Sequence, residues 1–160
     1  MRVTVSWLRE FVDFDLGVEE LSRGLTFLGQ EVESVRSERE SAEAEWLVRL
    51  SGDEGFELDD MVLDLEITPN RPDCLSVLGI AREVSLLVDK PLRVRKVKLS
   101  EAGRAVEDAA SLEVREVEAC PRYTGRVITG VTVGESPVWL KRRLLAVGLR
   151  PINAVVDLSN

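Results

Sequence analysis

A chain of 160 residues in which 29 acidic side chains face 21 basic ones, for a net charge of −8, is a poor general binder of nucleic acid, because that affinity rests on Lys and Arg displacing phosphate counterions. The sequence has no histidine, which removes Ser-His-Asp and Cys-His nucleophile systems, H-E-x-x-H zinc sites and imidazole bases in one step. Its cysteines, Cys74 and Cys120, form no C-x-x-C pair and point to a reducing cytoplasm and not to a disulfide framework; no stretch approaches the ~20 apolar residues of a membrane span.

The length suits one domain or one and a half. Val3 and Val5 alternate with polar neighbours as a short strand, and Ser6 is placed to cap a short helix carrying Trp7, Leu8, Phe11 and Val12. Val18, Leu21, Leu25 and Leu28 share one face of a second helix that Gly29 ends. Residues 31–35 alternate again. Residues 36–60, charged and closed by the cluster Gly52-Asp53-Glu54-Gly55, read as a connector with one short strand at 46–50. Met61, Leu63, Leu65 and Ile67 against Val62, Asp64 and Glu66 give a sharp strand. This strand is expected to pair near residues 2–5 or 31–35, with helices 18–28 and 73–88 together on one face. The turn Thr68-Pro69-Asn70-Arg71-Pro72 leads to Asp73 as cap of the 73–88 helix, which Lys90-Pro91 ends. After a charged link, strands are expected at 111–118 and 122–134. Ser136-Pro137 opens a helix that Gly148 ends. Asn153 caps a last run, 154–160, with Val155 and Leu158 as its apolar anchors. That run stops without a C-cap, which reads as a cut.

Few residues stand out chemically. T-P-N-R-P-D fits a rigid strand-to-helix corner, with a subunit or tRNA contact by Arg71 as the functional alternative. Lys141, Arg142 and Arg143 could hold phosphate, although a solvated helix face is the plainer reading in an acidic chain. Asp64 and Glu66 read as a solvated strand face, and Trp7 and Trp139 as packing residues.

Four segments, in order, resemble the beta subunit of bacterial phenylalanyl-tRNA synthetases: VSWLREFVDFDLGVEELSRGLTFLGQEVESV, DLEITPNRPDCLSVLGIAREVSLL, ACPRYTGRVITGVTVGESPVWLKRRLLAVGLRPIN and NAVVDLSN. The resemblance implies an α+β fold. It places an N-terminal domain over 1–92, a linker over 93–110 and the incomplete start of a tRNA-editing domain over 111–160. Bacterial members normally carry an OB-fold tRNA-binding insertion where this chain has only 36–60, too short for a five-stranded barrel. The whole enzyme uses ATP and magnesium to attach phenylalanine to its tRNA and hydrolyses tyrosyl-tRNA made in error, as an α2β2 assembly with its alpha subunit. By the same resemblance Ser159 and Asn160 form one edge of the editing pocket, where a hydroxyl and an amide can orient an ester carbonyl or water. No metal site and no complete catalytic site are expected in this chain, which alone should be inactive. A free-standing, non-catalytic interaction module derived from the synthetase is the competing reading. Everything from about Arg115 onward is expected to be less stable than 1–92, with an apolar patch near Val127, Val131 and Leu144.

Overall fold

The structure is a computed structural model that describes residues 1–41 and 43–160. Met1–Arg95 and Gly134–Asn160 form one compact unit; Lys96–Val133 form a second, smaller one.

The first unit is an α+β arrangement on a three-stranded antiparallel sheet. Its strands are β1 (Arg2–Thr4), β2 (Glu31–Ser37) and β3 (Met61–Glu66), in the order β1-β3-β2. The strand read from residues 61–67 therefore pairs with both expected neighbours: Leu63 lies opposite Val3 on one side and Val35 on the other. Alternation sends Leu63 and Leu65 to one face of β3 and Val62 to the other, and all three are buried. The first face receives α1 (Val5–Phe11), α2 (Val18–Phe27) and α4 (Val77–Val88), whose Leu8, Leu21, Leu25, Ile80, Ala81 and Val84 complete the main core. A side chain at Gly24 of α2 would collide with Leu87 of α4, so glycine lets these two helices approach closely.

The second face holds a smaller core. It is built from Val62, from Leu47 of α3 (Ala44–Glu54), from Leu58, and from Leu145 and Ala146 of α5 (Val138–Ala146). Here the connector departs from its sequence reading. Residues 46–50 are helix and not strand, because Leu47 and Leu50 at an i, i+3 spacing turn to this core and Gly55, at φ 72°, closes α3 in the left-handed conformation.

Several caps also differ from expectation. Thr4, not Ser6, caps α1 by accepting from Trp7 N. Pro72 opens a 3₁₀ turn, Pro72–Cys74, so the cap of α4 passes from Asp73 to Ser76, whose hydroxyl accepts from Gly79 N at 3.0 Å. Pro137 takes the N-cap position of α5, and the Ser136 hydroxyl bonds elsewhere. Asn153 caps α6 (Ala154–Asp157) as expected, but the expected anchors Val155 and Leu158 are exposed and the buried residue of α6 is Asp157.

In the second unit, 111–118 and 122–133 run without forming strands. An alternating segment becomes a strand only when a neighbour takes up its N–H and C=O groups. Among the described residues no strand of this unit does so. Val127 and Val131 are exposed, as expected of them, whereas Leu144, in the first unit, is buried.

Candidate functional site

The turn after β3 gathers one cation and three potential ligands. Arg71 Nη2 donates to Asp73 at 2.9 Å, to Glu83 of α4 at 2.8 Å and to Cys74 Sγ at 3.1 Å. The ligand atoms of Asp73, Cys74 and Glu83 lie within 4.8 Å of one another, a spacing that suits a metal ion. The Arg71 guanidinium is the cation that fills it. Its hydrogen bonds hold the Asp73 carboxyl at about 2, while burial and the neighbouring Asp73 push the Cys74 thiol up to about 11. Arg71 is thus bound into the strand-to-helix corner.

The basic run on α5 is equally committed. Lys141 Nζ sits 2.7 Å from Glu135 and holds that carboxyl below its usual range. Arg142 forms a fork on Glu38, Nε to Oε1 at 3.1 Å and Nη2 to Oε2 at 2.8 Å, with Asp59 at 3.4 Å and the Phe56 ring 4.8 Å beneath its guanidinium. Glu38 is 1% exposed, and its carboxylate raises the Arg142 pKa. Arg143 pairs with Glu10 and lies against Trp7 and Trp139, at 4.9 and 5.3 Å from the ring centroids. To hold phosphate, each of these cations would first have to give up a carboxylate of its own chain.

Glu10 and Glu38 border a cavity of about 530 Å³ that Thr4, Ser6, Asp60, Trp139 and Arg142 also line. Asp60 accepts from Ser6 N at 3.0 Å, from the Ser6 hydroxyl, and from Met61 N at 2.9 Å. Its own N–H donates to Glu38 Oε2 at 3.3 Å. Sequence reasoning missed Glu38 and Asp60, which sit in a charged stretch and take their partners from far along the chain. Asp64, on a strand face expected to be solvated, instead lies between Arg2 at 2.9 Å and Arg36 at 3.3 Å and is largely covered; Glu66 on the same face is exposed.

Ser159 and Asn160 follow α6 and are both exposed. The Ser159 hydroxyl donates back to Val156 O at 2.6 Å. Neither lines the cavity of Glu38 and Arg142.

The described residues thus combine a sheet flanked by helices, internally paired cations and an exposed hydroxyl–amide pair after a short helix. The B3/4 domain family matches residues 119–160. The beta subunit of phenylalanine–tRNA ligase from Rhodopirellula baltica is 40% identical over 160 residues, all of this chain and 21% of that protein. The beta subunit from Thermotoga maritima is 49% identical over 107 residues, 67% of this chain and 13% of its own length. That of Geobacter sulfurreducens is 31% identical over 254 aligned positions, which cover 100% of this chain and 32% of the relative.

The chain belongs to the phenylalanyl-tRNA synthetase beta-subunit family. It spans about a fifth of the Rhodopirellula relative's length. The Geobacter alignment is longer than these 160 residues, so that relative carries extra residues inside the matched span; the Rhodopirellula alignment is not. The Rhodopirellula subunit thus matches the spacing of this chain along its whole length.

Proposed function

We propose that this chain is the assembly and scaffold portion of a phenylalanine–tRNA ligase beta subunit and carries one edge of its editing pocket. The observation that carries the reading is the match to a beta subunit along all 160 residues, with the B3/4 match over 119–160. The internal pairing of the charged side chains supports it: Glu10, Glu38 and Glu43 from the first 60 residues hold Arg143, Arg142 and Arg150, an arrangement suited to fixing the start of the B3/4 segment.

In this reading the partner is the synthetase alpha subunit, in an α2β2 enzyme working in the cytoplasm. ATP and magnesium serve the aminoacylation site of the whole enzyme. Ser159 and Asn160 present a hydroxyl and an amide to the ester of a mischarged tRNA, where they orient the carbonyl or the attacking water. The isolated chain then neither aminoacylates nor deacylates, and binds tRNA weakly against its net charge of −8.

The test is made in the assembled ligase carrying this sequence. Asn160→Ala is expected to slow hydrolysis of tyrosyl-tRNA while attachment of phenylalanine proceeds at the unchanged rate. Hydrolysis that stays at the parent rate refutes the editing edge. The 160-residue chain mixed with the alpha subunit should co-elute with it; two separate species would favour a free-standing module.

A further inference from the structure

We propose that Asp157 is a positioning residue: its buried carboxylate ties α6 to the start of α5 and so sets where Ser159 and Asn160 stand. The inference rests on the reading of that pair as an edge of the editing pocket only for its catalytic consequence, and on geometry for the rest.

Helix α6 has four residues, Ala154–Asp157. So short a helix does not hold itself together in water, since isolated helices below ~12–15 residues are marginal. Its apolar side chains do not anchor it either: Val155 is 49% and Leu158 71% exposed. Asp157 is 2% exposed. Its Oδ2 accepts from the hydroxyl of Ser136, itself 5% exposed, and its Oδ1 accepts from Ile152 N at 2.8 Å.

These bonds join three pieces of chain: residue 136, just before α5; the 150–153 loop; and α6. A backbone bond from Ala154 N to Gly134 O at 2.9 Å supports the same junction. Burial raises the cost of the Asp157 charge, yet the bonds from Ser136 and from the Ile152 and Asn153 backbones more than offset it and leave the carboxyl below its usual pKa. A buried carboxylate satisfied in this way is a fixed point. The exit from α6 to Ser159 follows two residues later, closed by Ser159 N on Val156 O at 3.0 Å.

Asp157→Ala removes the bonds and leaves the Ser136 hydroxyl and the Ile152 N–H without their acceptor. Asp157→Asn keeps the shape: its Oδ1 can accept from Ile152 N while its Nδ2 donates to the Ser136 oxygen. Ser136→Ala removes one donor only and gives a milder perturbation in case Asp157→Ala fails to fold.

The experiment is backbone NMR with amide exchange on the 160-residue chain. In Asp157→Ala the Ser159 and Asn160 amide signals should move, and exchange at Ile152 and Ser159 should quicken about ten- to hundredfold, the worth of a hydrogen bond to a charged group. Signals of α2 and α4 should stay in place. Asp157→Asn should restore the Ser159 and Asn160 signals, and Ser136→Ala should move them the same way by less.

The proposal is overturned if a folded Asp157→Ala leaves Ser159 and Asn160 unmoved, if Asp157→Asn fails to restore them, or if Ser136→Ala leaves them in place. Deacylation of tyrosyl-tRNA by the assembled Asp157→Ala ligase separates the two readings. Moved signals with undiminished hydrolysis would uphold the positioning role and remove Ser159 and Asn160 from the editing pocket.

Discussion

Replacing Arg142 by alanine should cost far more than an ordinary surface ion pair would suggest. In the parent chain Glu38 is 1% exposed and meets Arg142 through both carboxylate oxygens. Once the guanidinium is gone, that carboxylate keeps, among the described residues, only the Asp60 N–H at 3.3 Å. Stranding one partner of a buried pair costs about 3–5 kcal/mol, whereas an exposed pair is worth roughly 0.2–1 kcal/mol. The loss is a large fraction of a domain stability of about 5–15 kcal/mol. Glu38→Gln should cost less, because its amide oxygen can still accept from Arg142 and the guanidinium keeps Asp59 and the Phe56 ring. Replacing both residues by Met should recover most of the loss, since two apolar chains of similar volume need no partner. Urea titrations of the four proteins, followed by tryptophan fluorescence, rank these costs directly. An Arg142→Ala cost below about 1 kcal/mol, or a double Met variant no better than Arg142→Ala, would mean that Glu38 is solvated and that the pair does not hold α5.

Leu47→Ala should cost about 2–5 kcal/mol by opening a cavity between α3 and α5 while leaving the sheet's amide pattern unchanged; urea titration together with NMR checks both, and a near-neutral result would remove α3 from the core. Gly79→Ala should destabilise by about 1–3 kcal/mol, because the new methyl would run into the Asp73 carbonyl; an equal or higher melting temperature would contradict that close approach. Asp73, at about 2 in the fold against 3.8, contributes stability that is complete above about pH 4 and lost as pH falls towards 2. Arg71→Ala should therefore lower the melting temperature at pH 7 and converge on the parent near pH 2, and a gap that stays constant across that range would sink the idea. Cys74, raised from 9.0 to about 11, contributes stability present below pH 9 and lost as pH rises towards 11; at pH 8 iodoacetamide should modify Cys120 and spare Cys74, with mass spectrometry as the check.

Much of the main core was legible in the sequence because its signals are local. The alternation of Met61 to Ile67, the spacing of Leu21 and Leu25 and the stop at Gly29 each lie within a few residues, and each produced the expected element. The connector was not legible. The apolar residues of α3 stand among charges that looked like a solvated link, and the burial of Glu38 depends on a partner 104 residues away. The alternation at 122–134 failed in the opposite sense, since a strand needs a neighbour that the pattern itself cannot supply. At the C-terminal end, Val155 and Leu158 have the right spacing for an anchor, yet a carboxylate holds the helix, because Ser136 and the 150–153 backbone offer donors that a helical wheel does not reveal.

The 104-residue separation between Glu38 and Arg142 also fixes an order of events during synthesis. The sheet can close once β3 has left the ribosome, because β3 lies between β1 and β2. The second core cannot, since Leu145 and Ala146 are still to be made. At ~5–20 residues per second the delay is roughly 4–15 s. Through that interval Val62, Leu47 and Leu58 face water and the Glu38 carboxylate remains hydrated. The nascent chain thus presents a transient apolar surface beside a finished sheet, the kind of surface that draws chaperones or a neighbouring copy on the same polysome.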